Sequence, residues 1–403
     1  MAWKWVRPMD ERVRFVWDVQ RGFESVSQLC RQFGISRKTG YKWMARYEAE
    51  GIEGLRERSR RPRRSPTRTD EHWVRTVVEQ RRAHPRWGPK KLWQLLGRVR
   101  RVGPRPAVST IGLILRREGL AERRRRRGRP RVTPSGPLQR PTRPNQVWAV
   151  DFKGWFRTGD GRRCEPLTVS DVYSRYVLLV RALPDQSYER TKQAMSELFR
   201  QYGLPERIRC DNGGPFASTG VGGLSRLSVW WMQLGIVVER IEPGHPEQNG
   251  VHERMHGTLK ADTIRPAAAN GRAQQRRFSR WRAQFNEHRP HEALSMQTPS
   301  QWYRRARRRL PRRLTPWSYS WEYAVRRVRH NGEIKWRGRR RYVGQALHGV
   351  AVGLKPTDHG TTAVYLGSLW LGDLEQTDAG GLRPTVSSPR IGNKMKSVTH
   401  VLR

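Results

Sequence analysis

The sequence predicts a multidomain chain: small helical units come first, an α/β core with a mixed five-stranded sheet follows, and a small β-barrel lies near the C-terminus. At 403 residues the chain exceeds the usual size of one domain. Apolar residues recur at helical spacing up to residue 120, and after residue 144 strand-like runs alternate with amphipathic segments. Three arginine-dense runs separate these regions, at 56–68, 122–131 and 304–313.

The charge of the chain indicates a polyanionic partner. Lys and Arg number 81 against 35 acidic residues, which gives a formal net charge of +46. Such a charge would repel itself strongly unless a polyanion neutralised it, so double-stranded DNA is the expected partner. The arginine-dense runs are expected to be solvated linkers that also neutralise phosphates.

The composition also argues against a membrane or disulfide-rich protein. The longest uncharged apolar-rich run, at 342–354, is too short to span a bilayer, and the first residues carry charges too early for a signal peptide. Cys30, Cys164 and Cys210 are isolated, without disulfide or zinc spacing. We therefore expect no membrane partner and a reducing, bacterial-type cytoplasm, with the protein associated with the nucleoid.

Residues 1–55 read as the first helical unit. Ser25 and Gln28 can form a capping box, Gly34 can supply a tight turn, and Ser36 can cap the next helix. This pattern predicts a helix-turn-helix, whose second helix enters the major groove of DNA. An ordinary three-helix bundle is the alternative. The predicted helices span 11–22, 24–34 and 36–51, and the candidate DNA contacts are Arg37, Lys38, Thr39, Tyr41 and Lys42.

Residues 70–121 are predicted to form a second helix-turn-helix or winged-helix-like unit, between basic linkers at 56–69 and 122–144. Its apolar residues recur at helical spacing. Gly88 with Pro89 and Ser109 with Thr110 are plausible helix starts. The predicted helices span 70–83, 88–99 and 109–120.

Residues 145–303 change to an α/β pattern. Runs rich in Val, Ile, Leu and aromatic residues predict three consecutive strands, followed by helix, strand, helix, strand and helix. A basic linker is expected at 304–317. Short apolar runs separated by Gly and Asn-Gly turns then predict a small β-barrel at 318–376, and a disordered tail at 377–403.

Two aspartates occupy positions that suit metal-dependent phosphodiester chemistry. Asp151 lies within the apolar first strand, WAVDFKG, where a charge is costly without a partner or a metal. Asp211 ends a later strand in RCDNGGPF, where the glycines let the backbone turn closely beneath a ligand. Mg²⁺ prefers oxygen ligands, and three carboxylates from separate elements are enough to hold a pair of ions.

The third motif is HPEQNGVHERMHGTLK, at 245–260. Together with VWAVDF, CDNGGPF and FNEHRPHEALSMQTPSQWY, it resembles the DDE transposases and integrases of the retroviral-integrase superfamily, of the insertion-sequence type. The resemblance implies an RNase H-like catalytic core and metal-dependent 3′-end cleavage and strand transfer. It also implies two Mg²⁺ ions, for which Mn²⁺ can substitute, and a homo-oligomer on the element ends and the target DNA.

Two glutamates compete for the third carboxylate position. The interval from Asp211 to Glu247 is 35 residues, the family's commonest, whereas the interval to Glu253 is 41. The family's catalytic Glu follows the Asn-Gly pair, as Glu253 does, so the resemblance implies Asp151, Asp211 and Glu253 as catalytic and metal-binding residues. We expect the Gly-rich segment TGVGGLSRLS to absorb the longer interval.

Lys260 and Asp171 are two further residues to which the sequence assigns a role. Lys260 shares a helix face with Glu253, which predicts contact with a DNA phosphate, although a solvated lysine is the alternative. Asp171 is interpreted as structural. An inactive, transposase-derived DNA-binding regulator and an RNase H-type nuclease remain alternative functions. The intact acidic triad argues against the first, and the two DNA-binding units argue against the second.

Overall fold

A computed structural model of the chain describes residues 8–58, 69–98, 104–121, 138–242, 245–375 and 381–382. The chain divides into two compact units, residues 1–71 and 72–403. Most of the linkers expected at 56–69 and 122–144, and all but two residues of the expected tail, lie outside the described residues. None of the described helices is both long and apolar enough to cross a membrane.

The regular elements follow the predicted sequence of helical, mixed and β regions. The helices are α1 (Pro8–Arg21), α2 (Val26–Gln32), α3 (Arg37–Glu50), α4 (Glu71–Ala83), α5 (Pro89–Leu96), α6 (Val108–Arg117), α7 (Tyr188–Tyr202), α8 (Arg226–Gln233), α9 (Gly250–Thr263), α10 (Gly271–Glu287) and α11 (Pro299–Trp302). The strands are β1 (Val147–Phe152), β2 (Phe156–Arg157), β3 (Arg163–Asp171), β4 (Val177–Leu183), β5 (Arg207–Cys210), β6 (Val237–Arg240), β7 (Ala324–Arg327), β8 (Glu333–Trp336), β9 (Arg339–Tyr342), β10 (Ala351–Pro356), β11 (Thr362–Leu366) and β12 (Leu369–Leu374).

The first unit is a three-helix arrangement with the predicted caps. Ser25 and Gln28 form a capping box at the start of α2, and the Ser36 side chain accepts a hydrogen bond from the Thr39 backbone N–H at the start of α3. Gly34 adopts a φ of 62° in the turn between α2 and α3, a conformation that favours glycine. The helices close over a small buried apolar core: Phe15, Val16, Leu29, Cys30, Trp43 and Leu55.

The second helical region, α4 to α6, belongs to the same compact unit as the core. The Arg81 guanidinium donates to the backbone carbonyls of Trp87 and Leu120, which joins the ends of the three helices. α6 begins earlier than expected, because Ala107 and not Ser109 occupies its N-cap position. The loop after α4 reaches the core through Arg86, whose Nε lies 3.1 Å from a carboxylate oxygen of Asp262.

The core is a mixed five-stranded sheet with helices, as the sequence predicts. Its strand order is β4-β3-β1-β5-β6, with β3 antiparallel to β4 and β1, and β5 parallel to β1 and β6. The two-residue β2 pairs with the start of β3. Side chains alternate across the sheet. One face packs against α7 and α8, and the other faces α9 and α10.

The C-terminal region corrects the expectation of a β-barrel. β12, β11, β10 and β7 form an open four-stranded antiparallel sheet, and β8 pairs with β9 in a separate hairpin. A barrel needs its outer strands to pair with each other, and no pairing of β7 with β12 occurs among the described strands. Instead, the apolar side of the sheet is covered from the core by Leu224 and Val229.

Residues 304–310, expected to begin a basic linker, run along the core. The Ala306 N–H donates to the Tyr202 carbonyl, and the Leu204 N–H donates to the Arg308 carbonyl. The Arg308 guanidinium donates to the carbonyls of Pro205 and Leu234. This basic run therefore satisfies backbone carbonyls at the ends of α7 and α8.

Candidate active site

The pairing of β1 with β5 brings two of the three expected carboxylates to one sheet edge. The strands are parallel, with Trp148 opposite Ile208 and Ala149 opposite Arg209. Continuing this register by two residues sets Asp151 opposite Asp211. Because the strands are parallel, both aspartates lie at carboxyl ends, where open α/β sheets commonly bind their ligands.

Asp211 begins the loop that leaves β5. The Gly213 N–H donates to Asp211 Oδ1 at 3.2 Å, and the Asn212 side chain donates to the Ile241 carbonyl at 2.8 Å. A Cβ at position 213 would lie 3.1 Å from Asp211 Oδ2, closer than side chains normally pack. The glycine after Asp211-Asn212 is therefore explained by the close approach of its backbone to the carboxylate.

Glu253 lies in the first turn of α9 and is exposed. Gly257 and Lys260, which follow at helical spacing, are exposed too. Met255 and Leu259 turn inward against Phe278 and Trp281 of α10. The rival Glu247 belongs to the separate 3-10 turn Pro246–Asn249, before α9 begins.

The electrostatics of Asp151 link the three carboxylates. The pKa of the Asp151 carboxyl is raised to about 7, most of all by burial and also by the negative charges of Asp211 and Glu253, while a hydrogen bond from the Phe152 N–H and the charge of Lys153 oppose the shift. Removal of a carboxylate from water and its proximity to like charges both favour the neutral acid. Each of the other two carboxylates therefore acts on Asp151.

The three carboxylates are not gathered into a closed ligand shell. In the part of the chain that the structure describes, no three His, Cys, Asp or Glu side chains are close enough together to hold a metal ion. The donor set nevertheless consists of oxygens, which suits Mg²⁺ or Mn²⁺ better than a softer metal. Burial raises the pKa of the neighbouring Cys210 thiol to about 12, so Cys210 does not offer a thiolate at neutral pH.

A buried pair of histidines, for which the sequence predicts no role, packs next to Asp151. His252 and His256 are on α9, at 0% and 3% exposure, so they lie on a different side of the helix from the exposed Glu253. His256 Nδ1 lies 3.6 Å from Asp151 Oδ2. Burial lowers the pKa of His252 to about 3, and burial, His252 and Lys153 lower the pKa of His256. Both rings are therefore neutral at physiological pH.

The hydroxyls beneath these rings come from alternate residues of β3. Thr168 Oγ1 lies 2.8 Å from His252 Nε2 and 2.6 Å from His256 Nε2, and Ser170 Oγ lies 2.7 Å from His252 Nδ1. The sequence does contain a signal for this contact. Histidines four residues apart on a helix share a face, and hydroxyls two residues apart on a strand share a face.

Asp171, at the end of β3, has a structural environment. Its carboxylate accepts hydrogen bonds from the Asn145 N–H at 2.7 Å and from the N–H and hydroxyl of Ser174. Asn145 in turn accepts hydrogen bonds from Trp148 Nε1 and the Tyr303 hydroxyl. The buried Asp171 therefore organises the turn after β3 and the entrance to β1.

The candidate DNA contacts lie in the first unit, on α3. Arg37, Lys38, Tyr41 and Lys42 are exposed on α3. Thr39 is half-buried, and its hydroxyl lies 2.9 Å from the Ser36 hydroxyl, so it belongs to the helix cap. The α3 surface therefore offers three cations and an exposed aromatic ring.

Comparison with protein families accounts for most of the chain. The chain matches an integrase core domain over residues 141–246 and again over 234–299. A helix-turn-helix domain matches residues 11–63, and a homeodomain-like domain matches 39–115. The C-terminal domain of the IS481 family of transposases matches 323–379, the region of the open sheet.

Similar proteins come from bacterial insertion elements. The chain is 27% identical over 282 residues to an uncharacterized 31.7 kDa protein of insertion element IS407 from Burkholderia multivorans, which covers 69% of this chain and 90% of that protein. It is 27% identical over 238 residues to an uncharacterized 39.2 kDa protein of insertion element IS476 from Xanthomonas euvesicatoria, covering 59% and 66%. A solved structure of the HTLV-2 integrase catalytic core domain in complex with magnesium is 18% identical, with a TM-score of 0.31, and covers 40% of this chain and 99% of that one.

The sheet order and the family matches together indicate an integrase core domain that follows helix-turn-helix domains. The C-terminal region is similar to the C-terminal domain of IS481-family transposases.

Proposed function

We propose that the protein is a metal-dependent DNA transposase, which cuts the 3′ ends of a mobile element and joins them to target DNA. The observation that carries this proposal is the relation of three carboxylates. Asp151 lies near the end of β1, Asp211 directly follows the adjacent parallel strand β5 in the same register, and the charges of Asp211 and Glu253 both act on Asp151. In this proposal Asp151, Asp211 and Glu253 are the catalytic residues.

The same three carboxylates would hold the divalent ions. Their oxygen donors and combined negative charge fit two Mg²⁺ ions, with Mn²⁺ as a substitute. When bound, the ions would supply positive charge to the attacking and leaving oxygens of phosphodiester exchange. The protein would contribute carboxylates carried on separate elements, and the half-buried position of Asp151 and Asp211 would limit the water around them.

The reaction has two exchanges at phosphorus. In the first, a water oxygen bonds to the phosphorus at the element end and gives up a proton to solvent, while the bond from phosphorus to the 3′ oxygen breaks and that oxygen takes up a proton to become a 3′-hydroxyl. In the second, the 3′-hydroxyl loses its proton to solvent as its oxygen bonds to a target phosphorus, and the bond from that phosphorus to the target strand's own 3′ oxygen breaks, with that oxygen taking up a proton. Lys260, exposed on the same helix as Glu253, would contact a DNA phosphate.

The partners follow from charge and domain composition. The net charge of +46 and the helix-turn-helix domains support binding to double-stranded DNA. In this proposal the α3 surface reads the element ends, with Arg37, Lys38, Tyr41 and Lys42 at the groove and Thr39 as part of the cap. A homo-oligomer would bring two ends together on target DNA. The bacterial insertion-element relatives support a place on the bacterial nucleoid.

Two other functions make different predictions. A DNA-binding regulator derived from a transposase would bind the same ends without cutting them. An RNase H-type nuclease would cut RNA/DNA hybrids and would have little use for groove-reading helices. The electrostatic coupling of Asp151 to Asp211 and Glu253 favours a catalytic protein over the regulator.

The deciding experiment uses the full chain and the DNA that flanks its gene. Labelled duplexes from both flanks, scrambled duplexes and an RNA/DNA hybrid are incubated with the protein and Mg²⁺, Mn²⁺ or a chelator. We expect metal-dependent release of a 3′-hydroxyl end on flank DNA and its joining to a second duplex. Binding to the flanks without cleavage in either metal would support the regulator, and preferential cutting of the hybrid would support the nuclease.

A further inference from the structure

One buried hydroxyl connects the strand that carries Asp151 with the helix that carries Glu253. Thr168 on β3 is the cross-strand partner of Asp151 on β1 and is fully buried. Its Oγ1 lies 2.9 Å from the Asp151 carbonyl oxygen, 2.8 Å from His252 Nε2 and 2.6 Å from His256 Nε2. Three polar groups therefore share one hydroxyl.

The hydrogens of this cluster can be assigned by counting donors. A hydroxyl has one hydrogen to donate and two lone pairs that accept. The Asp151 carbonyl can only accept, so the Thr168 hydrogen goes to it. Both histidines must then donate to Thr168 from Nε2, which makes each of them the Nε2–H tautomer.

The second nitrogen of each ring is consistent with this assignment. His252 Nδ1, without a hydrogen, accepts from the Ser170 hydroxyl at 2.7 Å. In the same assignment His256 Nδ1 carries no hydrogen and makes no hydrogen bond to Asp151 Oδ2, which lies 3.6 Å away, beyond hydrogen-bond distance. Every hydrogen-bonded atom of the cluster thus has a partner of the opposite kind.

Resting on the proposed function, we infer that Thr168 is a positioning residue that sets the rotation of α9, and with it the distance of Glu253 from Asp151. Glu253 lies between the two histidines in sequence. Met255 and Leu259 add apolar, non-directional contacts, and the polar contacts of Asp262 and Thr263 with α10 lie in the last turn of α9, far along the helix from Glu253. The two hydrogen bonds to Thr168 are directional, so they hold the helix in one rotation against the sheet.

This arrangement requires a residue with a hydroxyl group at position 168. Serine retains the hydroxyl. Valine has nearly the same shape but leaves two buried imidazole N–H groups and the Asp151 carbonyl without their shared partner. A rotation of α9 that re-satisfies the imidazoles would carry Glu253 with it, and metal sites tolerate little displacement of their ligands.

Thr191 on α7 provides a matched control. It is also fully buried, and its hydroxyl has no hydrogen-bond partner among the described residues. Thr191→Val therefore makes the same chemical change inside the core without removing a shared hydrogen bond. Both valine variants are compared with wild type and Thr168→Ser in thermal unfolding, which identifies any variant that does not fold.

The first readout is the tautomer of each histidine in the full chain, without metal. Two-bond ¹⁵N–¹H correlation spectra of ¹⁵N-histidine-labelled protein, assigned with His252→Asn and His256→Asn, distinguish Nε2–H from Nδ1–H rings. We expect both rings as neutral Nε2–H in wild type, Thr168→Ser and Thr191→Val, and an altered tautomer or shift for both in Thr168→Val. A wild-type ring protonated on Nδ1 overturns the inference, even if Thr168→Val does not fold.

The second readout is the Mg²⁺ concentration that gives half-maximal cleavage. We expect about a tenfold increase for Thr168→Val, in the range found when partners of metal ligands are removed, and wild-type values for Thr168→Ser and Thr191→Val. An unchanged Mg²⁺ requirement in folded Thr168→Val overturns the inference. If wild type does not cleave DNA, the proposed function fails while the tautomers still decide the hydrogen-bond assignment.

Discussion

Arg209 on β5 forms a buried ion pair with Glu239 on β6. Its Nε and Nη2 donate to Glu239 Oε2 at 3.2 and 3.0 Å, and the two side chains are only 8% and 6% exposed. Arg209 also donates to the backbone carbonyls of Gln139 and Gln248, at 2.8 and 3.5 Å. The pair therefore ties the strand before Asp211 to the turn before α9.

We expect Glu239→Gln to destabilise the protein by about 3–5 kcal/mol, because it leaves the buried guanidinium without a compensating charge. Glu197 supplies the control, since its ion pair with Arg181 is about two-fifths exposed on both sides. Glu197→Gln should change the free energy of unfolding by less than about 1 kcal/mol. Denaturant unfolding of both variants is the measurement. Equal, small effects would mean that the pair is not buried in solution.

Asp151→Asn, Asp211→Asn and Glu253→Gln should each abolish cleavage and strand joining. Each change removes a charge that is proposed to hold metal, while the contacts to DNA phosphates lie elsewhere. Binding to flank DNA should therefore remain close to wild type. Cleavage is assayed with Mg²⁺ and Mn²⁺, and binding is assayed by titration of labelled duplex. Wild-type cleavage by any of the three variants would remove that residue from the site.

Glu247 and Glu253 should respond differently to the same substitution. Glu247→Gln should retain cleavage, since Glu247 belongs to the turn before α9, whereas Glu253 lies in the first turn of the helix. The matched glutamine variants are compared under identical metal and DNA concentrations. Loss of cleavage in Glu247→Gln with activity retained in Glu253→Gln would show that the shorter interval from Asp211 identifies the catalytic residue.

The order of strands and helices in the core was predictable because the sequence patterns that identify them are local. Apolar runs identify β1 and β5, and the motifs at their ends identify Asp151 and Asp211. The cluster around Thr168 was not predictable in the same way. Its bonds to His252 and His256 join residues 84 and 88 positions apart, and the pairing exists only once β3 and α9 have packed. A buried histidine and a surface histidine look alike in a sequence.

For the C-terminal sheet, the sequence predicted the strands but not how they pair. Apolar alternation and Asn-Gly turns correctly indicated strands in this region, but they carry no information about which outer strands pair. The predicted barrel was wrong because β7 and β12 stay apart and the core covers the apolar face. The cover comes partly from Leu224, within the Gly-rich segment that we expected to absorb the longer interval between Asp211 and Glu253.

Arg37→Ala or Lys42→Ala in the full chain should weaken binding to the element ends. The loss should be about 1–3 kcal/mol and sequence-dependent if the residue reads a base edge, and uniform across sequences if it meets only phosphate. Arg21→Ala, an exposed change at the end of α1, is the control and should have little sequence-dependent effect. Titrations on end and scrambled duplexes distinguish these results.

The salt dependence of binding tests whether DNA is the partner that the positive charge of the chain binds. The logarithm of the binding constant should fall by about 0.9 for each neutralised phosphate per tenfold rise in salt. The same duplexes are titrated at several salt concentrations with the full chain. An affinity that does not change with salt concentration would show that DNA phosphates are not the partner of the +46 charge. Equal affinity for end and scrambled DNA would assign specificity to another region.

Leu224→Ala should loosen the C-terminal sheet in particular. Leu224 is 2% exposed and packs in the cluster formed with β10, β11 and β12, whereas Leu227 on α8 is fully buried in the main core cluster. Each truncation should cost about 2–5 kcal/mol, since it leaves a cavity in a packed interior. The two variants should, however, lose stability in different parts of the molecule.

Hydrogen exchange resolved by segment separates the two variants. In Leu224→Ala, backbone amides of β10 to β12 should exchange faster while those of β1 and β3 stay protected, because the sheet loses its contact with the core. In Leu227→Ala, the amides of the core strands should lose protection first. Equal loss of protection in both regions of Leu224→Ala would mean that the Gly-rich segment does not anchor the C-terminal sheet.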